Sequence, residues 1–216
     1  MNKTAIVIGA TGLIGKHLVS ELCHDEIYTK VICLTRRPLA FTHSKIINHV
    51  IDFEKLDEFS ELIKGDILFS CLGTTLKQSG SIEAQRKVDL DYQLQCAKIA
   101  HSNNVPHYFL VSSSGANANS RSAYLKMKGE LEIEIKRLHF PTTYIFQPSL
   151  LIGKRPEKRI AESIGTVLLP IICKIPGLQK YNPIQGKLVA LKMHQESVAP
   201  KSGVHLFTLS EVFPCL

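Results

Sequence analysis

The sequence lacks the residue patterns that hold structural or catalytic metal ions. Its nine histidines form no H-x-x-x-H or H-E-x-x-H pattern, and its cysteines form no C-x-x-C motif. We therefore expect no metal site. The cysteines lie far apart, which is typical of reduced thiols and indicates a cytoplasmic protein. They are Cys23, Cys33, Cys71, Cys96, Cys173 and Cys215.

Long apolar runs and linkers are also missing. The apolar run at the N-terminus is interrupted by three glycines, which favours a first strand over a signal peptide. A second run, at 164–175, contains Pro170 and Lys174 and is too short to span a bilayer. No low-complexity tract, linker or repeat divides the 216 residues. We expect one domain over residues 1–216 and no membrane span.

A concentrated basic surface is absent as well. The formal net charge is +7, but the lysines and arginines are scattered and no aromatic residues accompany them in a stripe. Nucleic-acid binding usually requires a basic patch or a recognisable motif. We therefore expect a solvated basic surface and no nucleic-acid partner.

Short apolar runs alternate with segments of helical periodicity. The runs predict strands at 4–9, 30–34, 46–53, 66–72, 107–112, 143–146 and 205–209, and the periodic segments predict helices at 13–23, 56–63, 85–101, 123–139 and 186–195. This alternation indicates an α/β fold, a Rossmann-like doubly wound parallel sheet in a single domain. The alternation breaks after Pro148, and we expect a small substrate or lid segment at about 150–185.

A glycine-rich loop joins the first predicted strand to the first predicted helix. Gly9 permits a tight turn, Gly12 lets the backbone approach a pyrophosphate, and Gly15 lets the helix pack closely on the strand. The helix N-terminus then supplies free N–H groups and the positive end of the helix dipole. The loop therefore predicts a dinucleotide cofactor.

The residues after the second predicted strand indicate which dinucleotide binds. A site that prefers NAD usually has Asp or Glu about 20 residues after the loop, where it holds the ribose 2′-hydroxyl. This sequence has Arg36 and Arg37 instead. Two guanidinium groups suit a 2′-phosphate, which accepts charge-assisted, bidentate hydrogen bonds. NADP(H) is favoured over NAD(H), and the alternative is that these are two ordinary surface arginines.

Tyr124 and Lys128 lie four residues apart in a predicted helix and so share one face. A tyrosine hydroxyl is a poor base at neutral pH, and a nearby cation favours its phenolate form. Ser112, Ser113 and Ser114 end the fifth predicted strand, at the ligand edge of the sheet. A serine there would bind a substrate carbonyl oxygen while Tyr124 exchanges the proton. The pattern predicts a catalytic triad, and packing of the tyrosine in the core is the alternative.

Several motifs occur in an order that resembles the short-chain dehydrogenase/reductase superfamily. They are GATGLIG at 9–15, LTRRP at 34–38, VIDFEKLD at 50–57, CLGTT at 71–75, VDLDY at 88–92, VSSSGA at 111–116, YLKMKGELE at 124–132 and QPSLLIGKRPEKR at 147–159. The closest resemblance is to the atypical branch that contains the Tat-interacting-protein oxidoreductases and their bacterial relatives. It extends to about residue 195.

The resemblance implies roles for individual residues. Tyr124 would donate or accept the proton, and Lys128 would bind the nicotinamide ribose and favour the tyrosine phenolate. Ser113, or alternatively Ser114, would bind the substrate oxygen. The implied cofactor contacts are Thr11, Gly12, Leu13 and Ile14 at the phosphates, Arg36 and Arg37 at the 2′-phosphate, Asp52 and Phe53 at the adenine, Leu72 and Gly73 at the adjacent ribose, Leu151 near the nicotinamide, and Arg155 and Arg159 in a basic segment over the cofactor.

The chain departs from the superfamily pattern in two respects. Asp89 stands where many relatives have the Asn of the proton relay. The chain is also shorter than sugar-nucleotide epimerases with a similar N-terminal sequence and lacks their substrate domain. The second departure argues against a nucleotide-sugar substrate.

These features together predict an NADP(H)-dependent oxidoreductase that transfers a hydride between nicotinamide and a small carbonyl or alcohol substrate. The alternative is an NADP(H)-sensing regulatory protein with little or no turnover. Such regulators often lose the tyrosine and lysine, so the retention of Tyr124 and Lys128 favours the enzyme. The run at 164–175 either packs in the core or forms a lid over a lipophilic substrate. We expect a monomer or a homodimer.

Overall fold

The structure, a computed structural model, describes residues 2–153 and 182–214. Strands and helices alternate over these residues. The strands are β1 (Lys3–Ile8), β2 (Tyr28–Thr35), β3 (Ile46–Val50), β4 (Ile67–Ser70), β5 (His107–Val111), β6 (Thr142–Gln147), β7 (Leu151–Ile152), β8 (Ile184–Gln185) and β9 (Gly203–Thr208). The α-helices are α1 (Gly15–His24), α2 (Leu76–Ser79), α3 (Ile82–Arg86), α4 (Tyr92–Ser102), α5 (Ala123–Arg137) and α6 (Gly186–Val198).

Seven strands form one parallel sheet in the order β3-β2-β1-β4-β5-β6-β9. The strand order reverses between β1 and β4, because the chain runs from β1 to β2 and β3 on one side and returns to β4 on the other. Doubly wound sheets bind ligands at this point, outside the carboxyl ends of the strands. The predicted Rossmann-like fold is confirmed.

The central strands of the sheet are mainly apolar because both of their faces are covered. Ala5 and Val7 of β1 pack on one side, in a cluster that includes residues of α1 and α6. Ile6 and Ile8 pack on the other side, with residues of α4 and α5. Neither face of such a strand is polar, so a parallel sheet appears in the sequence as continuous apolar runs.

The register of the strands brings their carboxyl ends to one edge of the sheet. Ile8 of β1 pairs with Leu34 of β2 and with Ser70 of β4, and Ser70 pairs in turn with Leu110 of β5. The residues that follow these four strands therefore lie side by side. We call this the carboxyl edge.

Two predicted elements differ from the structure. The predicted strand at 46–53 ends at Val50, because Asp52 caps a 3-10 helix over Phe53–Leu62 by accepting a hydrogen bond from the Glu54 N–H at 3.0 Å. The predicted helix at 85–101 is divided by a π-helical turn, Lys87–Asp91, between α3 and α4. Apolar periodicity does not distinguish these helix types.

The expected lid segment is described only at its two ends. β7 and β8 pair in parallel, Leu151 with Ile184 and Ile152 with Gln185. Residues 154–181, and with them the apolar run at 164–175, lie outside the described residues. Within the described ranges, the structure has no helix long and apolar enough to cross a membrane.

Candidate functional site

The glycine loop lies in direct backbone contact with the chain that follows β4 and with the start of α1. Gly9 has a φ of +80°, and a Cβ there would lie 2.4 Å from the Cys71 carbonyl carbon. A Cβ at Gly15 would lie 2.1 Å from the Gly9 carbonyl oxygen. Real Cβ atoms do not approach backbone atoms so closely. The loop therefore has the shape that a dinucleotide needs only because both positions are glycine.

The loop and the start of α1 suit an anion. The Gly12 N–H donates to the Gly9 carbonyl at 2.9 Å, and a Cβ at Gly12 would lie 3.2 Å from the same oxygen. Ile14 caps α1 with no side-chain hydrogen bond, and the first turn of this ten-residue helix contains no acidic residue. Thr11 is exposed and Leu13 is half-buried. The helix dipole is thus uncompensated at this end, as a pyrophosphate site requires.

A cavity of about 260 Å³ borders the loop on the α1 side. Leu13 forms part of its wall, and a Cβ at Gly153 or Gly186 would lie 2.5 Å or 2.7 Å from the Leu13 side chain. Lys16 and Lys187 also line it. The two glycines therefore let β7 and α6 pack directly on the loop.

Arg36 and Arg37 lie at the carboxyl edge directly after β2, and both are exposed. Asp52 follows β3, the neighbouring strand. It is exposed and caps the 3-10 helix. Phe53 is buried, and its ring lies 5.7 Å from the ring of Tyr92. Asp52 and Phe53, both predicted to lie at the adenine, therefore differ in exposure: Asp52 faces solvent and Phe53 belongs to the core.

Tyr92, the last residue of the VDLDY motif at 88–92, lies in this corner and was given no role by the sequence. Its hydroxyl donates to Glu54 Oε1 at 2.5 Å. Burial, followed by the bonded Glu54 carboxylate, raises the pKa of Tyr92 to about 12, and the charge of Arg36 opposes this rise. Tyr92 therefore lies within electrostatic range of the arginine predicted to bind the 2′-phosphate.

Leu72 and Gly73 follow β4 at the carboxyl edge. The next residue, Thr74, is linked to Lys128 of α5 by contacts that both make with Asp89. The Thr74 N–H donates to Asp89 Oδ2 at 3.3 Å, and Lys128 Nζ lies 3.2 Å from Asp89 Oδ1. Both charged side chains are almost fully buried. The resemblance placed Asp89 at the position of the relay Asn, but the sequence did not predict its pairing with Lys128.

The N-terminal part of α5 is held against the chain that follows β5. The Asn117 N–H donates to the Leu125 carbonyl at 3.0 Å. A Cβ at Gly129 would lie 2.2 Å from the Ala118 backbone nitrogen, so only glycine permits this approach. Tyr124 is half-buried, and Lys128 is buried one turn later. The helix that carries Tyr124 and Lys128 is therefore fixed against the chain that follows the serines.

The three serines after β5 differ in their surroundings. Ser112 is buried, and its hydroxyl donates to the buried Glu132 carboxylate, which also accepts from Gln147 Nε2 at 2.8 Å. Ser113 is half-buried, and among the described residues its hydroxyl donates only a long hydrogen bond, to the Ser114 carbonyl at 3.4 Å. The Ser112 hydroxyl is thus used inside the protein.

The remaining predicted positions follow β6 in the sequence. Leu151 in β7 is half-buried and packs against the core cluster that includes α1. Arg155 and Arg159 lie outside the described residues. Among the residues that the structure does describe, no three His, Cys, Asp or Glu side chains form a group that could hold a metal ion.

Known proteins share this arrangement. A family model described as NAD(P)H-binding matches residues 9–162, which contain the glycine loop, the strands β2 to β7 and the helix with Tyr124. The chain belongs to this NAD(P)H-binding family.

Several known proteins are similar to most of the chain. The HTATIP2 protein of Rattus norvegicus is 37% identical over 165 residues, which are 74% of this chain and 68% of the relative. The mitochondrial FMP52 protein of Saccharomyces cerevisiae is 30% identical over 205 residues, 93% of this chain and 86% of the relative. The solved structure of Bordetella bronchiseptica WbmH in complex with NAD+ has a TM-score of 0.74 at 14% identity and covers 96% of this chain and 76% of that one.

These similarities confirm the resemblance to atypical short-chain dehydrogenase/reductases of the HTATIP2 group. The family match and the relatives support a nicotinamide cofactor and, in general terms, a nucleotide-dependent oxidoreductase. The similarity to WbmH, at its low identity, shows the fold alone.

The prediction of a cytoplasmic protein is wrong. It rested on the dispersed cysteines, which indicate reduced thiols but not a compartment. The FMP52 relatives from Candida glabrata, Emericella nidulans, Candida albicans and Saccharomyces cerevisiae are all named mitochondrial.

Proposed function

We propose that the protein is an NADP(H)-dependent oxidoreductase that transfers a hydride between nicotinamide and a small carbonyl or alcohol substrate. The observation that carries the proposal is the common position of two features at the carboxyl edge. One is the glycine loop, whose geometry excludes any Cβ at Gly9. The other is α5, which presents Tyr124 and Lys128 beside the chain that follows β5.

Charge after β2 supports NADP(H) as the cofactor. Arg36 and Arg37 are exposed there, and no acid stands at that strand end to hold a ribose 2′-hydroxyl. The acid nearest to Tyr92, Glu54, is bonded to the Lys87 ammonium at 2.7 Å and to the tyrosine itself. Two free guanidinium groups would bind a 2′-phosphate more strongly than a hydroxyl. We call this corner the adenosine end of the site.

The serine, tyrosine and lysine would share the chemistry at the other end. When bound, the nicotinamide supplies or accepts the hydride. Tyr124 donates the proton to the carbonyl oxygen in reduction, or accepts it from the alcohol in oxidation. Ser113, or alternatively Ser114, donates a hydrogen bond to the same oxygen, because the Ser112 hydroxyl is already bonded to Glu132. Lys128 binds the ribose hydroxyls. We call this corner the nicotinamide end.

The other expected contacts complete the proposed cofactor site. Thr11, Leu13 and Ile14 would line the phosphates, Leu72 and Gly73 the adjacent ribose, and Leu151 the nicotinamide, with Arg159 above it. We further propose that the segment at about 150–185 forms a lid on a single cofactor-binding domain and that the substrate is lipophilic. The fungal relatives are named mitochondrial, and we propose the same location for this protein.

A regulatory protein that senses NADP(H) is the second candidate. The observation in its favour is the buried ion pair between Lys128 and Asp89, which partly neutralises the charge that would favour a tyrosine phenolate. Such a protein would bind the cofactor with little turnover.

Turnover of NADPH with a panel of aldehydes, ketones and quinones separates the two candidates. We expect oxidation of NADPH by at least one class, and a loss of about 100-fold or more in Tyr124→Phe because the proton donor is removed. Tyr144→Phe is the matched control, since the Tyr144 hydroxyl bonds the Lys201 N–H away from the carboxyl edge. Undiminished activity in Tyr124→Phe would disprove the chemistry, and tight NADPH binding without turnover would favour the regulator.

A further inference from the structure

Lys128 and Asp89 form an ion pair that is removed from solvent. The side chain of Asp89 has no exposed surface and that of Lys128 is 3% exposed, with 3.2 Å between Nζ and Oδ1. A buried ion pair adds little net stability compared with apolar residues of the same size. The pair therefore calls for an explanation other than stability.

Asp89 connects α5 to the loop after β4. Its Oδ2 accepts a hydrogen bond from the Thr74 N–H at 3.3 Å. A Cβ at Gly73 would lie 3.5 Å from its Oδ1. The carboxylate thus lies between the lysine proposed to bind one ribose and the loop proposed to line the other.

The π-helical turn Lys87–Asp91 places Asp89 in this position. Asp89 is fully buried, whereas the side chain of Asp91 in the same turn is 50% exposed. Arg86, just before the turn, bonds Glu130 of α5 at 2.6 Å and holds the turn against that helix. π-Helical turns of this kind are frequent at functional sites.

One oxygen of the buried carboxylate accepts no hydrogen bond. Among the described residues nothing donates to Asp89 Oδ1, since the Lys128 ammonium is near it but outside hydrogen-bonding geometry. A buried carboxylate oxygen without a donor is costly and uncommon. The other acids on this part of α5 are satisfied, because Glu130 bonds Arg86 and Glu132 bonds Ser112.

We propose that Asp89 is a positioning residue, which holds the Lys128 ammonium at the nicotinamide end and couples it to the loop at Gly73 and Thr74. Asp89 acts through Lys128 and does not itself bind substrate. The inference rests on the proposed function, in which Lys128 binds the cofactor.

A double-mutant cycle on the complete protein tests this coupling. NADPH dissociation constants are measured by cofactor fluorescence for the wild type, Asp89→Asn, Lys128→Met and the double variant. We expect each single change to weaken binding by about tenfold, and the double variant to bind no more weakly than Lys128→Met, because contacting charges are not additive. Asp91→Asn, an exposed acid of the same turn, is the matched control and should bind as the wild type does.

The ammonium itself provides a readout that a merely structural role would not change. With ¹⁵N-labelled lysine, the wild type should show one slowly exchanging Nζ resonance that is absent in Lys128→Met. Asp89→Asn should remove its protection, and Asp91→Asn should leave it. A resonance that is equally protected in Asp89→Asn would overturn the inference.

The outcomes separate this inference from the proposed function. Additive losses in the cycle would overturn the coupling while leaving Lys128 as a cofactor contact. Unchanged binding in Lys128→Met would contradict the proposed role of that lysine, and the Nζ resonance would then decide the inference alone. If Asp89→Asn does not fold, the NADPH affinity of the double variant, which buries no charge, is compared with that of Lys128→Met. A weaker affinity in the double variant would overturn the coupling.

Discussion

The two ends of the candidate site carry similar charges in opposite surroundings. At the adenosine end, Arg36 and Arg37 are exposed directly after β2. At the nicotinamide end, Lys128 is buried against Asp89. Exposed cations remain hydrated and are screened by salt, whereas a buried pair is fixed when the protein folds. In the proposed function, one end selects the cofactor by its charge and the other fixes the geometry for the reaction.

The largest expected effect comes from a substitution in the glycine loop. Gly9→Ala should abolish folding or lower stability by more than about 3 kcal/mol, because it adds a clash to a left-handed backbone. Gly80→Ala is the matched control, since Gly80 has nearly the same φ, +82°, with open space around it. It should cost only about 1–2 kcal/mol. Chemical denaturation measures the free energy of unfolding of both variants. Equal losses of stability would show that the close approach of Gly9 to Cys71 does not require a glycine.

A second prediction concerns the serines at the nicotinamide end. Ser113→Ala should lower turnover by about 100-fold with little change in stability, because it removes a donor to the substrate oxygen. Ser112→Ala should instead lower the melting temperature, because it leaves the buried Glu132 with one donor fewer. Steady-state rates and thermal unfolding of both variants check this. The reverse pattern would assign the substrate contact to Ser112.

The adenosine end provides the third prediction. Arg36→Ala combined with Arg37→Ala should weaken NADPH binding by about 10- to 100-fold, the loss of one or two charge-assisted hydrogen bonds. NADH binding should change little, because NADH has no 2′-phosphate. Lys30→Ala, an exposed cation on the same strand β2, is the control. An unchanged NADPH affinity in the double variant would refute the assignment of the arginines.

The general fold could be predicted from the sequence because local patterns determine it. Continuous apolar runs gave the strands, since both faces of the sheet are covered, and the spacing of Gly9, Gly12 and Gly15 gave the loop. The position of Arg36 follows from the strand that precedes it, and that of Tyr124 from the helix that contains it. These predictions required only neighbours in sequence.

The buried polar contacts could not be predicted in the same way. Ser112 and Ser113 are adjacent and chemically identical, and only the packing of α5 places Glu132 beneath one of them. The inward position of Asp89 depends on a π-helical turn, which apolar periodicity does not reveal. Each of these contacts joins residues from elements distant in sequence.

The smallest expected effect is the response to salt. Raising the ionic strength from 50 to 300 mM should weaken NADPH binding by roughly threefold more than NADH binding, because salt screens exposed charges. The arginine double variant should lose this difference. Fluorescence titrations at several salt concentrations measure it, and equal salt dependence for the two cofactors would show that the adenosine end does not select by charge.

The most direct test of the account compares the two cofactors on the unmodified protein. Titration calorimetry with NADPH and NADH under the same conditions gives both dissociation constants and the stoichiometry. The account predicts one site per chain and binding of NADPH at least about tenfold tighter, equivalent to about 1.4 kcal/mol. Equal affinities, or tighter binding of NADH, would contradict it.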